Sequence, residues 1–528
     1  MAGEIVLKLR LTPYADITWQ WLGDRYRTGD HRSEFTPYEH PMVECLAVTD
    51  GERSLLMVRE RVAGRSRCEP LVREVSTREY DRARELAEQW PGDYALVETA
   101  PDEPVQVTAG ACRTTPLYLA HDTVSLHASW DMGDLRSYAH GINHKEAARL
   151  MLYRPRYSTD TLFTGIHRLT ERARAYFGGH LFVRYPEPAL HTGSRELVPG
   201  ADVLGAFMRV LDDALDARPL DPDRTLFHLT GGFDSGTVAT RAAERFPGRL
   251  STAALLIGGS GREQQMRRRA EMRAAVPFGA ADELIDAMTD LPLHPACLRV
   301  SGAAISPYED PLHHPFVLLT DRIAATGAHT VVTGLGGDEM VALTQEEYPH
   351  RAAGSMEDAG SLLWIGRRVG ELAEFGDDGI APPASVNSMT LLSLESAAPV
   401  LLRAGLWPLH PFADPDMVAL GEALPMDWRE LKQLQRRRLA SLGMSSDVTL
   451  PTERESFAEV VQHALITHGA GLLRDMLNSG SALFEAGLVD PDGLRAGLKA
   501  LNHDQYDEMR HSQLIEVIHL HLATVAYL

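Results

Sequence analysis

The sequence predicts two domains, an α+β domain followed by an α/β domain. The chain has 528 residues, which is too long for a single hydrophobic core. Up to about residue 195, short apolar runs broken by turn residues favour a sandwich of layered antiparallel sheets with a few helices. After Asp202 the strand and helix patterns alternate, which is typical of a parallel sheet covered by helices, here with further helices added.

Each element follows from its own pattern. In the first half, strand patterns occupy 4–11, 44–50, 53–60, 93–100, 104–110, 116–122 and 123–130, and helix patterns occupy 80–90 and 144–153. In the second half, helix patterns occupy 203–219, 235–246, 263–276 and 316–328, strand patterns occupy 225–230, 250–259 and 329–337, and the chain is mostly helical from about 360. Residues 185–200 are rich in Pro, Gly and polar residues and indicate a linker, so we place the domains at 1–195 and 200–528.

The net charge, the cysteines and the apolar stretches of the sequence disfavour several classes of function. A net charge of −21 disfavours a sequence-independent grip on nucleic acid, which needs a basic surface. The four cysteines are scattered and form no CxxC pair, so zinc, iron–sulfur and disulfide frameworks are not expected. No signal peptide pattern and no apolar stretch of membrane-spanning length is visible. We therefore predict a cytoplasmic protein without nucleic-acid or membrane partners.

The stretch FHLTGGFDSGTVA places two adjacent glycines and an acid between a buried strand and a helix. Gly231 and Gly232 lack a Cβ and allow an anion to approach the backbone closely. The next helix offers unpaired N–H groups, and Thr230 and Ser235 add hydroxyls, so together they predict a phosphate cradle. It is not a Walker loop, because the GxxxxGK[ST] spacing is absent. A carboxylate beside phosphates is repulsive unless a divalent cation lies between them, so Asp234 indicates Mg²⁺.

A second stretch, TVVTGLGGDEM, repeats this pattern of apolar strand, glycines and acid. Gly334, Gly336 and Gly337 form its turn. Asp338 is the natural second metal ligand, and Glu339 is a weaker candidate. One such loop alone is often a simple tight turn. Two of them, each closing a buried strand of one α/β domain, favour a shared site.

The two loops resemble the SGGxDS pyrophosphate loop and the SGxGxDE loop of the asparagine synthetase family. Weaker likenesses follow in order along the chain: CRTTPLYLA (112–120), TLFTGIHRL (161–169), HPFADPDMVALGEALP (410–425), Lys432 with Arg436, and TERESFAEVV (452–461). The resemblance implies an N-terminal glutaminase-like domain of Ntn type and a Rossmann-like PP-loop ATP-pyrophosphatase domain. It also implies a chemistry in which ATP and Mg²⁺ adenylate a carboxylate with release of pyrophosphate, and an amine then displaces AMP.

The resemblance also implies roles for particular residues. Asp234 and Asp338 would hold Mg²⁺, and the two-residue glycine turn would grip pyrophosphate. The strand end at Leu255, Leu256 and Ile257 would lie against adenine through its backbone. The family lysine of R-x-K-x-x-F is Arg454 here, which suits electrostatic stabilisation of an oxyanion because arginine cannot act as a base. Lys432 is a second catalytic cation, although both cations could instead be exposed surface residues.

Two departures from the family pattern narrow the expected reaction. Glutamine-hydrolysing members use an N-terminal cysteine, whereas Ala2 stands here, so we expect no glutaminase activity and an amine that belongs to a larger substrate. Leu335 replaces the Tyr of β-lactam and carbapenam synthetases and the Glu of asparagine synthetases, and it cannot accept a proton. These features favour a lasso-peptide macrolactam cyclase. A β-lactam-type synthetase, a ligase of small acids, a tRNA-modifying enzyme and an inactive scaffold are the alternatives.

Three further features give softer predictions. Tyr308, Glu309 and Asp310 are predicted to line the acceptor pocket. The cluster RRRAEMR (267–273) is predicted to be a solvated helix face, with an acidic leader peptide or phosphate as the alternative contact. The expected partners are a peptide or a small carboxylate and amine, together with a leader-peptide-binding protein, a protease and a second copy of the chain.

Overall fold

The computed structural model describes residues 5–344, 347, 362–502 and 506–528, so Ala2 lies outside the described residues. The first half is a sandwich of two seven-stranded sheets with a small two-stranded ribbon beside it. The strands are β1 (Lys8–Leu11), β2 (Trp19–Trp21), β3 (Tyr26–Thr28), β4 (Glu34–Thr36), β5 (Val43–Thr49), β6 (Ser54–Glu60), β7 (Arg73–Glu74), β8 (Tyr94–Thr99), β9 (Val105–Ala109), β10 (Tyr118–His121), β11 (Leu126–Ser129), β12 (Gly141–Ile142), β13 (Phe163–Thr164), β14 (His167–Arg168), β15 (Arg174–Phe177) and β16 (Leu181–Arg184). The helices are α1 (Thr77–Glu88), α2 (His144–Met151) and a 3-10 turn (Met132–Tyr138).

The strand order explains which side chains form the core of the sandwich. One sheet runs β14-β10-β11-β1-β4-β3-β2 and the other β16-β15-β9-β8-β6-β5-β7. Neighbouring strands are antiparallel except β5 and β7. Because side chains alternate along a strand, Leu56 and Val58 of β6 face the other sheet, whereas Leu55 and Met57 pack on α1. The predicted antiparallel sandwich is confirmed.

The second half contains an all-parallel sheet of five strands in the order β19-β18-β17-β20-β21. Its strands are β17 (Thr225–His228), β18 (Ser251–Leu256), β19 (Asp282–Asp286), β20 (Thr330–Val332) and β21 (Trp407–Leu409). The helices are α3 (Val203–Asp216), α4 (Phe233–Arg245), α5 (Gly259–Ala275), α6 (His313–Ala325), α7 (Gly337–Met340), α8 (Arg367–Ala373), α9 (Ser388–Arg403), α10 (Pro415–Ala423), α11 (Met426–Arg429), α12 (Gln433–Ser441), α13 (Ser446–Thr449), α14 (Ala458–Ala464), α15 (Ala470–Ser479), α16 (Ala482–Glu485), α17 (Pro491–Asn502), α18 (Glu508–His511) and α19 (Leu514–Tyr527). Short 3-10 turns lie at Pro222–Arg224, Pro411–Ala413 and Glu430–Lys432, and a π-helical turn lies at Leu465–Gly469.

Both faces of this sheet are covered by helices, as the alternating pattern predicted. Phe227 of β17 packs toward α4 and α12 within one large core, and the neighbouring Leu226 packs toward α6 and α9 on the opposite face. The three predicted strands are present, but β19 and β21 were missed. Their sequences explain why: β19 reads DELID and is mostly acidic, and β21 is three residues long and contains Pro408. Both are edge strands, where such residues are tolerated.

The two halves meet through buried contacts. Arg168 of β14 lies 2.8 Å from Glu395 of α9, and both side chains are almost fully buried. His40 bonds to the carbonyl oxygen of His329 at 2.9 Å. Residues 185–200 join the halves without a helix or strand. Within the described parts of the chain, no helix is long and apolar enough to cross a membrane.

Candidate active site

An open cleft of about 850 Å³ lies at the carboxyl ends of the neighbouring strands β17 and β20. Ligands of parallel α/β sheets bind at this edge. Typical pockets for small ligands enclose roughly 300–1,000 Å³, so this cleft is near the upper end of that range and has room for a nucleotide. Its lining includes these predicted site residues: Thr230, Gly232, Asp234, Ser235, Gly334, Gly336, Asp338, Lys432 and Arg454.

The first glycine loop joins β17 to α4 in a tight turn. Gly231 has a φ of +94°, a region that only glycine enters without strain. The loop closes on itself, because the Thr230 amide donates to Ser235 Oγ at 3.1 Å and the Gly232 amide donates to Thr230 Oγ1 at 3.2 Å. No described side chain caps the N-terminus of α4 at Gly232. The first turn of α4 therefore presents its N–H groups and the positive end of its dipole at the cleft.

The second loop joins β20 to α7 and packs directly on the first loop. A Cβ added at Gly334 would lie 2.5 Å from the backbone nitrogen of Ser235, and one at Gly337 would lie 2.5 Å from Cγ of Asp234. Gly336 adopts a φ of +92°. Gly336 therefore allows a left-handed turn, and Gly334 and Gly337 allow the two loops to pack closely against each other. This close packing brings Asp338 beside Asp234.

Lys432 joins the two acids. Its Nζ lies 2.5 Å from Oδ2 of Asp234 and 2.8 Å from Oδ1 of Asp338. Gln435 Nε2 donates to the other oxygen of Asp234 at 3.2 Å. The side chain of Asp234 is 16% exposed and that of Asp338 is 72% exposed. The two carboxylates therefore converge on one positive charge, with one acid fixed in the wall and the other open to the cleft.

Burial and the neighbouring charges have opposing effects on the pKa values of Asp234 and Lys432. Burial raises the pKa of Asp234 to about 6, against the opposing effect of Lys432 and with the support of Asp338. Burial alone would lower the pKa of Lys432, but the two carboxylates outweigh it and the pKa is raised. Lys432 is therefore protonated at neutral pH. Its ammonium group supplies the cation that this pair of acids requires.

The donor set fits a magnesium–nucleotide complex better than a permanently bound metal. Across the described residues, no group of three or more His, Cys, Asp or Glu side chains is arranged to hold a metal ion. Asp234 and Asp338 offer two carboxylates, and the ammonium between them marks the position of a cation. Mg²⁺ is usually bound by one or two carboxylates together with substrate phosphates and water.

One wall of the cleft carries cations that the sequence analysis did not assign to the site. Arg268 is almost fully buried, pairs with Glu455 and has an unpartnered Nε among the described contacts. The guanidinium groups of Arg268 and Arg436 lie 4.8 and 4.4 Å from the ring centre of Phe233. Both arginines and Phe233 line the cleft. Arg436 and the Arg268–Glu455 pair thus lie beside Phe233, the first residue of α4.

The predicted solvated face at 267–273 is wrong for two of its residues. Arg268 is buried at the cleft, and Arg269 is buried against Asp282 at 2.6 Å, whereas Arg267 is 56% exposed. A run of arginines gives no periodic signal that separates the buried positions from the exposed ones. Their partners, Glu455 and Asp282, are distant in sequence, so only the folded chain identifies them.

The predicted adenine strand does not line the cleft. The amide of Gln265 occupies its backbone groups: Nε2 donates to the carbonyl of Leu255 at 3.0 Å, and Oε1 accepts from the amide of Ile257 at 3.0 Å. Leu256 is buried. The adenine contact therefore stays a prediction, and it requires the Gln265 side chain to move.

Tyr308, Glu309 and Asp310 are not brought to the cleft. Tyr308 donates to Glu146 at 3.0 Å, and Asp310 accepts from the Leu312 amide at 2.7 Å. Glu309 is fully buried and accepts two bonds from Arg403 at 2.6 and 2.8 Å. Neighbouring Arg403 and His313 hold the pKa of Glu309 far below its usual range despite its burial. These three side chains stabilise the loop before α6, and we do not retain them as substrate contacts.

Arg454 and Leu335 do line the cleft. Arg454 is exposed on the segment before α14, so its guanidinium group faces solvent and incoming ligands. Leu335 is half-buried and packs on two apolar clusters, which makes part of the wall hydrophobic. His228, the last residue of β17, also lines the cleft and was not predicted.

The site is thus built on a parallel sheet in which β17 and β20 each end in a glycine loop, with an acid at the start of the next helix. Residues 206–376 match the family model described as asparagine synthase, and this part of the chain is an asparagine synthase domain. Such domains belong to ligases that form amides with ATP and Mg²⁺. The match includes both loops, whereas Lys432 and Arg454 lie beyond it. No curated protein matches the chain.

Proposed function

We propose that the protein uses ATP to convert a carboxylate into an acyl-AMP with release of pyrophosphate, after which an amine displaces AMP and an amide bond forms. In the first step the carboxylate oxygen bonds to the α-phosphorus and the bond to the β-phosphate oxygen breaks. In the second step the amine nitrogen bonds to the acyl carbon, the bond to AMP breaks, and the amine gives up a proton. The observation that carries this proposal is the convergence of Asp234 and Asp338 on one cation.

The residues of the cleft have separate roles in this scheme. The N–H groups at the start of α4 and the cationic wall of Arg268 and Arg436 bind the departing pyrophosphate. When bound, Mg²⁺ would be held by Asp234 and Asp338 and would neutralise charge on the phosphates. Arg454 stabilises the oxyanion formed at the acyl carbon. These groups act through their charges and order the substrates, and the proton released by the amine passes to solvent.

We further propose that the acid and the amine belong to one substrate, a short ribosomal peptide closed into a lasso-type macrolactam. Two observations favour this substrate: the cleft is open to solvent, so a peptide can enter it, and Leu335 forms an apolar wall at the position where the resemblance places a proton acceptor. An amine held close to the acyl-AMP by its own chain needs less chemical help. A leader-peptide-binding protein and a protease would then act with this enzyme. A β-lactam-type synthetase or a ligase of small acids is the alternative.

The test combines the purified protein with ATP, Mg²⁺ and a peptide that carries a free N-terminal amine and a side-chain carboxylate. We expect AMP and pyrophosphate, and a peptide product lighter by one water in the mass spectrum. Asp338→Asn should abolish both, whereas Asp492→Asn, which changes an exposed acid on α17, should not. Turnover only with a separate small acid and amine would favour the intermolecular ligase. Release of ADP and phosphate would contradict adenylation altogether.

A further inference from the structure

Lys432 lies where a divalent cation would lie between the two acids. Its ammonium group contacts one carboxylate oxygen of Asp234 and one of Asp338, at 2.5 and 2.8 Å. Asp234 is held from its other oxygen by Gln435, which also donates to the carbonyl of Gly337 at 3.2 Å. Asp234 is therefore held in the wall of the cleft, and a side chain of the same protein fills the position between the two acids.

The residue type at this position is unusual for the chain. Of 52 basic residues only Lys8, Lys145, Lys432 and Lys499 are lysines, and the others are arginines. A compact ammonium with three donors can sit between two carboxylates as an ion does, whereas a planar guanidinium needs a wider space. The one lysine in the cleft is thus the basic side chain best suited to replace a metal ion.

The backbone also indicates that Lys432 is held in place by these two contacts. Leu431 and Lys432 adopt φ values of +52° and +60°, and consecutive non-glycine residues in the left-handed region are disfavoured. Leu431 is 72% exposed, so packing of its side chain does not hold this turn in its conformation. The strain is offset by the ion pairs of Lys432 with Asp234 and Asp338, together with a hydrogen bond that Arg436 Nε donates to the carbonyl of Leu431 at 2.6 Å. Loss of those pairs would allow the turn to relax and carry the ammonium toward the phosphates.

We propose that Lys432 occupies the metal position whenever the cleft holds no nucleotide, so that the protein takes up Mg²⁺ and ATP only together. Mg²⁺ alone would have to displace the ammonium and leave two cations side by side. A nucleotide alone would meet the two carboxylates with Lys432 still committed to them. When both arrive, the metal binds the acids and Lys432 binds a phosphate oxygen. This inference rests on the proposed function, because it concerns the same carboxylates.

The test is metal binding measured without turnover. Mn²⁺ binding is followed by the electron paramagnetic resonance signal of free Mn²⁺, with and without a non-hydrolysable ATP analogue. For the wild type, after subtraction of the Mn²⁺ that the analogue binds in a protein-free sample, we expect an at least tenfold tighter affinity for Mn²⁺ in the presence of the analogue. For Lys432→Met we expect at least tenfold tighter binding of Mn²⁺ alone, and a smaller effect of the analogue. By reciprocity, Mn²⁺ should then also improve analogue binding less than in the wild type.

Two controls keep the outcomes distinct. Lys499→Met removes an exposed lysine of α17 and should behave as the wild type. Lys432→Gln also removes the positive charge but keeps a polar side chain. This variant replaces Lys432→Met in the experiment if Lys432→Met has a lower melting temperature than the wild type. If the wild type binds Mn²⁺ and the analogue together, but neither Lys432 variant changes the affinity for Mn²⁺, this inference is overturned and the proposed function is not. Wild-type protein that binds neither would overturn the proposed function itself.

Discussion

Gly337→Ala is the substitution for which the structure gives the clearest geometric consequence. The new Cβ would lie 2.5 Å from Cγ and 2.6 Å from Oδ1 of Asp234, whereas ordinary contacts begin at about 3.4 Å. The Asp234 carboxylate must therefore move by about 1 Å. It is mostly buried and bonded to Lys432 and Gln435, so it has no equivalent position nearby.

This displacement should disable the metal–nucleotide site while the fold remains. A misplacement of about 1 Å at a reacting or ligating group costs on the order of 100-fold. We therefore expect isothermal titration calorimetry to show an affinity for Mg²⁺ and a non-hydrolysable ATP analogue on the order of 100-fold weaker than in the wild type. The thermal melting temperature should change little, because all the atoms nearest to the new Cβ belong to one side chain, that of Asp234.

Gly370→Ala is the matched control. Gly370 lies within α8, and a Cβ there would meet no atom within 4 Å. Alanine in a helix interior is favoured over glycine by about 0.5–1 kcal/mol, so this variant should be slightly more stable and bind the analogue normally. If Gly337→Ala binds the analogue within threefold of the wild type, the contact between the two loops does not position Asp234, and the reasoning is refuted.

Three further predictions concern other parts of the molecule. Arg454→Ala should lower turnover more than nucleotide affinity, because the exposed guanidinium acts on the oxyanion; steady-state kinetics and calorimetry measure the two effects separately. Glu395→Gln leaves the buried Arg168 without its partner and should lower the free energy of unfolding by about 3–5 kcal/mol in denaturant titrations. Burial, with His329 nearby, lowers the pKa of His40 to about 3 from 6.5, so its contribution to stability is complete above pH 6.5 and is lost as the pH falls. Between pH 6.5 and 5 this loss is about 2 kcal/mol, and His40→Gln should remove that part of the pH dependence.

Each of these predictions has a control or a contrary result. An unchanged turnover rate for Arg454→Ala would show that Arg454 is an ordinary surface residue without a role in the reaction. Glu371→Gln is the control: it breaks the exposed ion pair with Arg367 and should lower the free energy of unfolding by less than about 1 kcal/mol. If Glu395→Gln lowers the free energy of unfolding by the same small amount, the ion pair between Arg168 and Glu395 is not buried in solution. For His40, identical pH dependence of unfolding in the variant and the wild type would contradict a neutral buried imidazole.

The sequence predicted the two loops because their signal is local. An apolar strand, adjacent glycines and an acid within about ten residues determine both the turn and the direction of the acid. The alternation of strand and helix then places both loops at one edge of the sheet. The placement of Asp234 and Asp338 at the same edge of the sheet follows from these two facts without knowledge of the rest of the chain.

The parts that the sequence did not predict depend on distant residues. Arg268 and Glu455 are 187 positions apart, and nothing in RRRAEMR marks the second arginine as buried. Lys432 lies 198 positions after Asp234, and its contact with both acids depends on the turn at Leu431. Gln265 reaches the end of β18 from α5, a side-chain to backbone contact that no periodicity reveals. The sequence therefore predicted the residues of the two loops, but it did not predict which charged and polar side chains pair around them.

The most direct test of the proposed metal–nucleotide site is a crystal structure of the protein with Mn²⁺ and a non-hydrolysable ATP analogue. We expect an anomalous manganese peak next to the carboxylate oxygens of Asp234 and Asp338 and to phosphate oxygens, with Lys432 moved from its present position onto the phosphate chain. A manganese peak elsewhere, or a nucleotide bound while either aspartate points away from it, would show that these two acids do not hold the metal of the nucleotide.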